Sequence, residues 1–248
     1  ILAYQPENDG LAEGSTFAAG ANITAAKAFL ATIDKETVHT DSAIATSVAT
    51  ITTNGVPTAA SGAKTLTLTT TQDTLTGGDG NDKISGVVVA AGTTGTTFSA
   101  GDVINGASGI DTLTLSLSGS ADGYTLNGVV TTGVEKVLLS NFDTHSGSVT
   151  TVDATLLGGL TTVGLTASGA DGDTTVTGLT ALTNAEMKNG AADLTLTHEA
   201  TTVSGSSDAI SLEISNVSAG TFTAGTIETL SVNSTLAAST LTDLVIAN

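Results

Sequence analysis

The chain has 248 residues, 6 of them basic against 24 acidic, with no cysteine and 3% aromatic residues. A formal charge of −18 argues against nucleic acid, whose phosphates need a basic footprint, and against docking on anionic membranes through a basic patch. The absence of cysteine excludes disulfides and thiolate metal sites, and no stretch is long and apolar enough to span a bilayer as a helix.

Residues 1–57 are expected to form an irregular lead-in followed by short helices. Asn22 can cap a helix carrying Ile23, Phe29, Leu30 and Ile33. Asp41 or Ser42 can start another, with Ile44, Val48 and Ile51 on one face. Asn54-Gly55-Val56-Pro57 stops the pattern. Such a segment suits the end of a helical module, or a cap over the end of a β stack. The chain starts at Ile1 and ends just after Leu244-Val245-Ile246, as expected of a fragment of a longer protein.

From 58 to 248 the pattern is mainly β. Short runs alternate apolar residues with Thr or Ser, as in Leu66-Thr67-Leu68, Leu113-Thr114-Leu115 and Leu194-Thr195-Leu196. Val137-Leu138-Leu139, Val163-Gly164-Leu165, Leu212-Glu213-Ile214 and Leu230-Ser231-Val232 continue the series. Apolar volume comes from Val, Ile, Leu and Ala, which suits thin stacked layers with one small side chain per inward position. A parallel β-helix or β-roll-like solenoid, truncated at its C-terminus, is the expected fold; an antiparallel β-sandwich is the alternative. Gly133-Val134-Glu135-Lys136-Val137 and Thr226-Ile227-Glu228-Thr229-Leu230 share a weakly similar lead-in.

The segment Gly77-Gly78-Asp79-Gly80-Asn81-Asp82-Lys83-Ile84-Ser85 matches the nonapeptide G-G-x-G-x-D-x-U-x, where U is a large aliphatic residue. Nine residues earlier, Asp73-Thr74-Leu75 repeats its acidic half. Glycines permit a tight turn with positive φ and leave carbonyls accessible. Calcium, a hard ion, wants about six to eight oxygens from carbonyls and carboxylates. Asp82 is the first candidate ligand, Asp73 the second, and the carbonyls of Gly78 and Gly80 follow. Asp79 and Asn81 are expected to face solvent. A second copy pairs Asp102/Ile104 with Asp111/Leu113 at the same nine-residue offset, adding Asp102, Asn105, Gly109 and Asp111 as candidate Ca2+ ligands. There Ala107 stands where the second glycine would be.

These residues resemble RTX (repeats-in-toxin) proteins exported by type I secretion, and more narrowly bacterial surface-layer (S-layer) proteins of that class. The shared features are a helical stretch ending before Leu66–Thr71, Asp73-Thr74-Leu75-Thr76-Gly77 opening the turn, Gly109-Ile110-Asp111-Thr112-Leu113, and Thr/Ala/Gly-rich β rungs. The resemblance implies a calcium-stiffened solenoid on the cell exterior, self-associating into a two-dimensional lattice that calcium helps order. It also implies attachment to surface polysaccharide through regions outside this chain. Two isolated pairs of half-repeats replace the long tandem arrays of the toxins. The alternatives are an RTX adhesin or biofilm protein, and the non-catalytic β domain of a secreted hydrolase.

No enzyme is expected. His39, His145 and His198 form no H-E-x-x-H pair, and no G-x-S-x-G elbow or phosphate loop occurs. His198-Glu199 reads as a solvated strand end. Gly169-Ala170-Asp171-Gly172-Asp173 and Gly119–Gly123 read as plain turns.

Overall fold

The computed structural model describes residues 62–247, apart from 92 and 121; the helices expected within 22–53 lie outside them. Among the described residues every regular element is a strand. In chain order these are β1 (Thr65–Thr67), β2 (Thr74–Thr76), β3 (Lys83–Val89), β4 (Val103–Asn105), β5 (Thr112–Gly119), β6 (Thr125–Leu126), β7 (Val130–Thr132) and β8 (Lys136–Asp143). There follow β9 (Thr150–Asp153), β10 (Thr162–Thr166), β11 (Thr174–Leu179), β12 (Asn184–Lys188) and β13 (Leu194–His198). The last four are β14 (Ala209–Ser215), β15 (Thr221–Gly225), β16 (Thr229–Ser234) and β17 (Asp243–Ala247).

An eight-stranded sheet runs β1-β3-β5-β8-β10-β12-β14-β16, a six-stranded sheet β17-β15-β13-β11-β9-β6, and a three-stranded sheet β2-β4-β7. All strand pairs are parallel. Neighbours in a sheet belong to successive rungs of one winding chain, so the fold is a parallel β-solenoid. The antiparallel sandwich is thereby overturned.

Register explains why small aliphatic residues suffice. Leu66, Ile84, Leu113, Val137, Val163, Ala185, Leu212 and Val232 form one column across the large sheet. Each inward side chain packs on its equivalents one rung away, about 4.8 Å distant, so no single large side chain has to fill the interior. Leu113, Val137, Val163, Ala185 and Leu212 are all buried. The columns run out at the last rung, where Val232, Leu244 and Ile246 are 46%, 41% and 43% exposed. On the outward face of the six-stranded sheet, Thr125, Thr151, Thr175, Thr195 and Thr223 form a threonine column.

The nine-residue offset acquires a meaning here. Asp73-Thr74-Leu75 enters β2 of the small sheet, and Asp82-Lys83-Ile84 enters β3 of the large one. Asp102 and Asp111 precede β4 and β5 in the same way. One half-repeat thus carries the chain from one sheet to the next.

Across the large sheet, the described ion pairs link Lys136 to Glu186 and Lys188 to both Glu186 and Glu213. Lys136 reaches Glu186 over the intervening β10, where Gly164 has no side chain to block it. A Cβ at Gly164 would lie 2.8 Å from Glu186 Cβ.

Candidate metal centre

Register stacks Lys64, Asp82, Asp111 and Glu135 at the entrance to the first four strands of the large sheet. Their hydrogen bonds form a ladder. The Lys64 N–H donates to Asp82 Oδ1 at 2.5 Å, Asp82 N–H to Asp111 Oδ1 at 2.7 Å, and Asp111 N–H to Glu135 Oε2 at 2.8 Å. Each acid therefore caps the main chain of the rung before it. Glu135 stands only two residues after Gly133, whereas Asp111 follows Gly106 by five, and its longer side chain makes up for the shorter turn.

A second ladder serves the small sheet. Asp102, fully buried, accepts the N–H of Asp73 at 2.9 Å and that of Ser99 at 2.8 Å. Asp73 accepts the Thr69 N–H at 2.6 Å and the Thr69 hydroxyl at 3.0 Å. The four candidate aspartates thus fall into two columns: Asp82 with Asp111, and Asp73 with Asp102.

Gly77, Gly106 and Gly133 stack at the turn leaving the small sheet, tied by Gly77 N–H to Asn105 O at 2.7 Å and Gly106 N–H to Thr132 O at 2.8 Å. A Cβ on Gly77 would collide with Asp82 Oδ2 and the Gly106 carbonyl oxygen; one on Gly106 would collide with Asp111 Oδ2 and the Gly133 carbonyl oxygen. Each of these two glycines is therefore closely approached by one carboxylate oxygen and one carbonyl oxygen.

The two turns differ in one respect. Asp82 Oδ2 accepts the Gly78 N–H at 2.6 Å. Asp111 Oδ2 is buried with no hydrogen-bond partner among the described residues. Burial pushes the Asp111 carboxyl above its ordinary value, an effect opposed by the Asp82 N–H and reinforced by the charges of Asp82 and Glu135. A buried, partnerless carboxylate oxygen beside a carbonyl oxygen calls for a positive charge or a proton.

The remaining candidates have supporting places. Gly78 O accepts the Ser108 N–H at 3.3 Å, and Gly109 lies over Gly80, its φ at 133°. Asn105 is exposed, its side-chain oxygen accepting the Ala107 N–H at 3.0 Å. Asp79 and Asn81 are exposed, as expected, and Asn81 Oδ1 caps Ile110 N–H at 2.9 Å.

Two expectations about the glycines need correction. Gly77, Gly78 and Gly80 do not adopt positive φ; close approach accounts for two of them, Gly77 to the next rung and Gly80 to the backbone of Ala63. Ala107 instead takes φ 70°, a left-handed conformation costing a non-glycine residue about 1–2 kcal/mol.

The donor set fits a hard cation in kind. Among the described residues no group of three or more His, Cys, Asp or Glu side chains gathers to hold a metal. An ion at these turns would therefore draw much of its coordination from main-chain carbonyls, which calcium accepts.

Lys64, Gly106, Gly133 and Glu135 belong to the site but were not among the sequence candidates. The shared Gly…acid…aliphatic order of Gly106–Leu113 and Gly133–Val137 is the signal that relates them.

Other polar groups proved more structural than their sequence suggested. Asp173 does not merely turn the chain: it accepts the Asp193 N–H at 2.8 Å, and Asp193 accepts that of Thr221 at 2.6 Å. Glu228 caps Asp208 N–H at 2.8 Å, the same device as Glu135 with Asp111, which explains their similar lead-ins. A groove of about 590 Å³ opens elsewhere, beside Phe98 and Tyr124.

His198 is not a solvated strand end. It is 8% exposed, and its Nε2 accepts the Thr183 N–H at 3.2 Å. Burial holds its pKa below the ordinary 6.5, although the Asp208 charge partly opposes this. The unfolded chain therefore takes up a proton near 6.5 before the folded one does. This contribution to stability is full above that pH and is lost as pH falls toward the folded value. His198→Gln is expected to lose less melting temperature than the parent between about pH 7 and about pH 5. Equal losses would count against a buried neutral imidazole.

Fold and turns together define a parallel β-solenoid whose rungs are joined by acid-capped glycine turns. No family model matches the chain, and neither the curated proteins nor the solved structures yield a match.

Proposed function

We propose that this chain is a calcium-binding structural protein of a bacterial surface layer, secreted and self-associating on the cell exterior. The single observation that carries the calcium reading is Asp111 Oδ2, buried beside Gly106 with no hydrogen-bond partner among the described residues. Asp82 and Asp111, with the carbonyls of Gly106 and Gly133, are the groups that would hold the ion. Bound there, a hard dication neutralises buried carboxylates and joins oxygens of successive rungs. Support for a scaffold role comes from the continuous stack itself, stiffened by acid ladders, and from the sequence resemblance to S-layer proteins. Attachment to surface polysaccharide is assigned to regions outside this chain.

A calcium titration followed by thermal melting tests this. Ligand that binds only the folded state adds about 2.7 kcal/mol at a hundredfold excess over Kd. Melting temperature is expected to rise with CaCl2 and to return to its starting value with a chelator. Asp111→Asn should abolish most of the rise yet melt no lower than the parent in chelator. Its amide keeps the acceptor for Asp82 N–H and gains a donor where Oδ2 stood. No calcium response in the parent chain would overturn the calcium reading. Electron microscopy with and without CaCl2 tests the lattice, with ordered sheets expected only in calcium.

A further inference from the structure

Lys64 stands in the acid column, directly one rung before Asp82. Its main-chain N–H plays the ordinary part, capping Asp82 Oδ1 at 2.5 Å. Its side chain does something the acids cannot. The ammonium donates to Gly77 O at 2.7 Å and to Thr76 O at 3.1 Å.

That contact belongs to a series. Asp111 Oδ2 and Gly133 O flank Gly106, and Asp82 Oδ2 and Gly106 O flank Gly77. In each case the column residue's charged head meets the carbonyl of the stacked glycine on the following rung. Lys64 Nζ on Gly77 O is the same relation one rung earlier. On both of these rungs a carboxylate oxygen and a carbonyl oxygen approach the same glycine; Asp82 Oδ2 takes the Gly78 N–H, while Asp111 Oδ2 has no hydrogen-bond partner among the described residues. The first rung sets a donor cation there from the start.

We infer that Lys64 is a tethered cation, occupying on the first rung the place that a carboxylate with its bound calcium takes on the next two. The inference rests on the calcium reading above and deepens it. Lys64 makes the first turn independent of calcium and confines the ion to the turns of Asp82 and Asp111. An ammonium suits this task, being a compact point charge with three donors on a flexible stem.

Lys64→Asp is the direct test, made in the full chain with CaCl2 as the only ligand. Equilibrium dialysis should find about one more calcium per chain than in the parent. In chelator the variant should melt below the parent, and calcium should close the gap. Lys64→Gln, which keeps a donor without the charge, should bind as many ions as the parent. If Lys64→Asp does not purify folded, Lys64→Glu replaces it, since Glu135 already serves this column with the longer arm. An unchanged ion count in the carboxylate variants would overturn the inference, leaving Lys64 as a cap on edge carbonyls. A parent chain that binds no calcium while Lys64→Asp does would overturn the calcium reading and uphold the role of Lys64. Binding by neither would overturn both.

Discussion

Gly106→Ala is expected to destabilise the solenoid by about 2–3 kcal/mol and to remove the calcium response. The added methyl would meet the Gly133 carbonyl oxygen and the Asp111 carboxylate, and the carbonyl is backbone that cannot rotate away. The strands on either side are hydrogen-bonded to their neighbours, so relief requires separating rungs. It also displaces the two oxygens proposed to hold an ion. Gly225→Ala is the matched control, since among the described residues nothing lies within 4 Å of a Cβ there. That change should be neutral, or should stabilise by about 0.4–1 kcal/mol through the unfolded state. Urea titrations of both variants, compared at equal m-value, give the difference. If Gly106→Ala unfolds at the same urea concentration as Gly225→Ala, the close stacking of the turn glycines is wrong.

Asn141→Ala is expected to cost about 2–4 kcal/mol, from a position outside the glycine turns proposed to bind calcium. Register sets Asn141 level with Leu117 of the neighbouring strand, at an inward position in the core. It is fully buried. Its amide donates to the Thr150 hydroxyl at 3.0 Å and to Gly172 O at 3.1 Å, and its side-chain oxygen accepts the Asp143 N–H at 3.1 Å. Truncation removes one hydrogen bond from each of these groups, leaving Gly172 O the Thr174 hydroxyl as its donor. Calcium should raise the melting temperature of Asn141→Ala by as much as it raises the parent's. A loss below about 1 kcal/mol by urea titration would show that water replaces the amide.

The two positions mark the boundary between what is legible along the chain and what is not. Alternation in segments such as Leu113-Thr114-Leu115 identifies strands, because a side chain's face follows from its parity alone. The nine-residue recurrence of Asp-x-aliphatic likewise identifies half-turns, because each half-turn needs one capping acid and one inward anchor. Asn184–Lys188 escapes that logic. Its sequence, Asn-Ala-Glu-Met-Lys, carries no β-branched residue, yet it forms β12 in the middle of the large sheet. Its neighbours β10 and β14 supply the ladder hydrogen bonds, and Glu213 of β14 and Lys136 of β8 supply the ion pairs, that hold it there.

The site divides in the same way. Asp82 and Asp111 stand out in the sequence because the acid sits at a fixed distance from glycines that precede it and an aliphatic residue that follows. The partners of those acids do not stand out. Lys64 lies 18 residues before Asp82, and Asp111 lies 29 after it, distances set by loop lengths that vary from rung to rung. Only winding the chain brings Lys64, Asp82, Asp111 and Glu135 into one column.

By itself, the sequence determined that this protein is built of short strands with small inward residues and acid-bearing glycine turns. Those are local properties, governed by side-chain parity and turn chemistry. The tertiary structure alone decided which rung lies on which, and hence which main-chain N–H each acid of the column accepts. Asp82 and Asp111 occupy equivalent places in their repeats. Yet Asp82 Oδ2 accepts the Gly78 N–H of its own turn, whereas the equivalent Ala107 N–H goes to the Asn105 side chain and Asp111 Oδ2 is buried with no hydrogen-bond partner among the described residues.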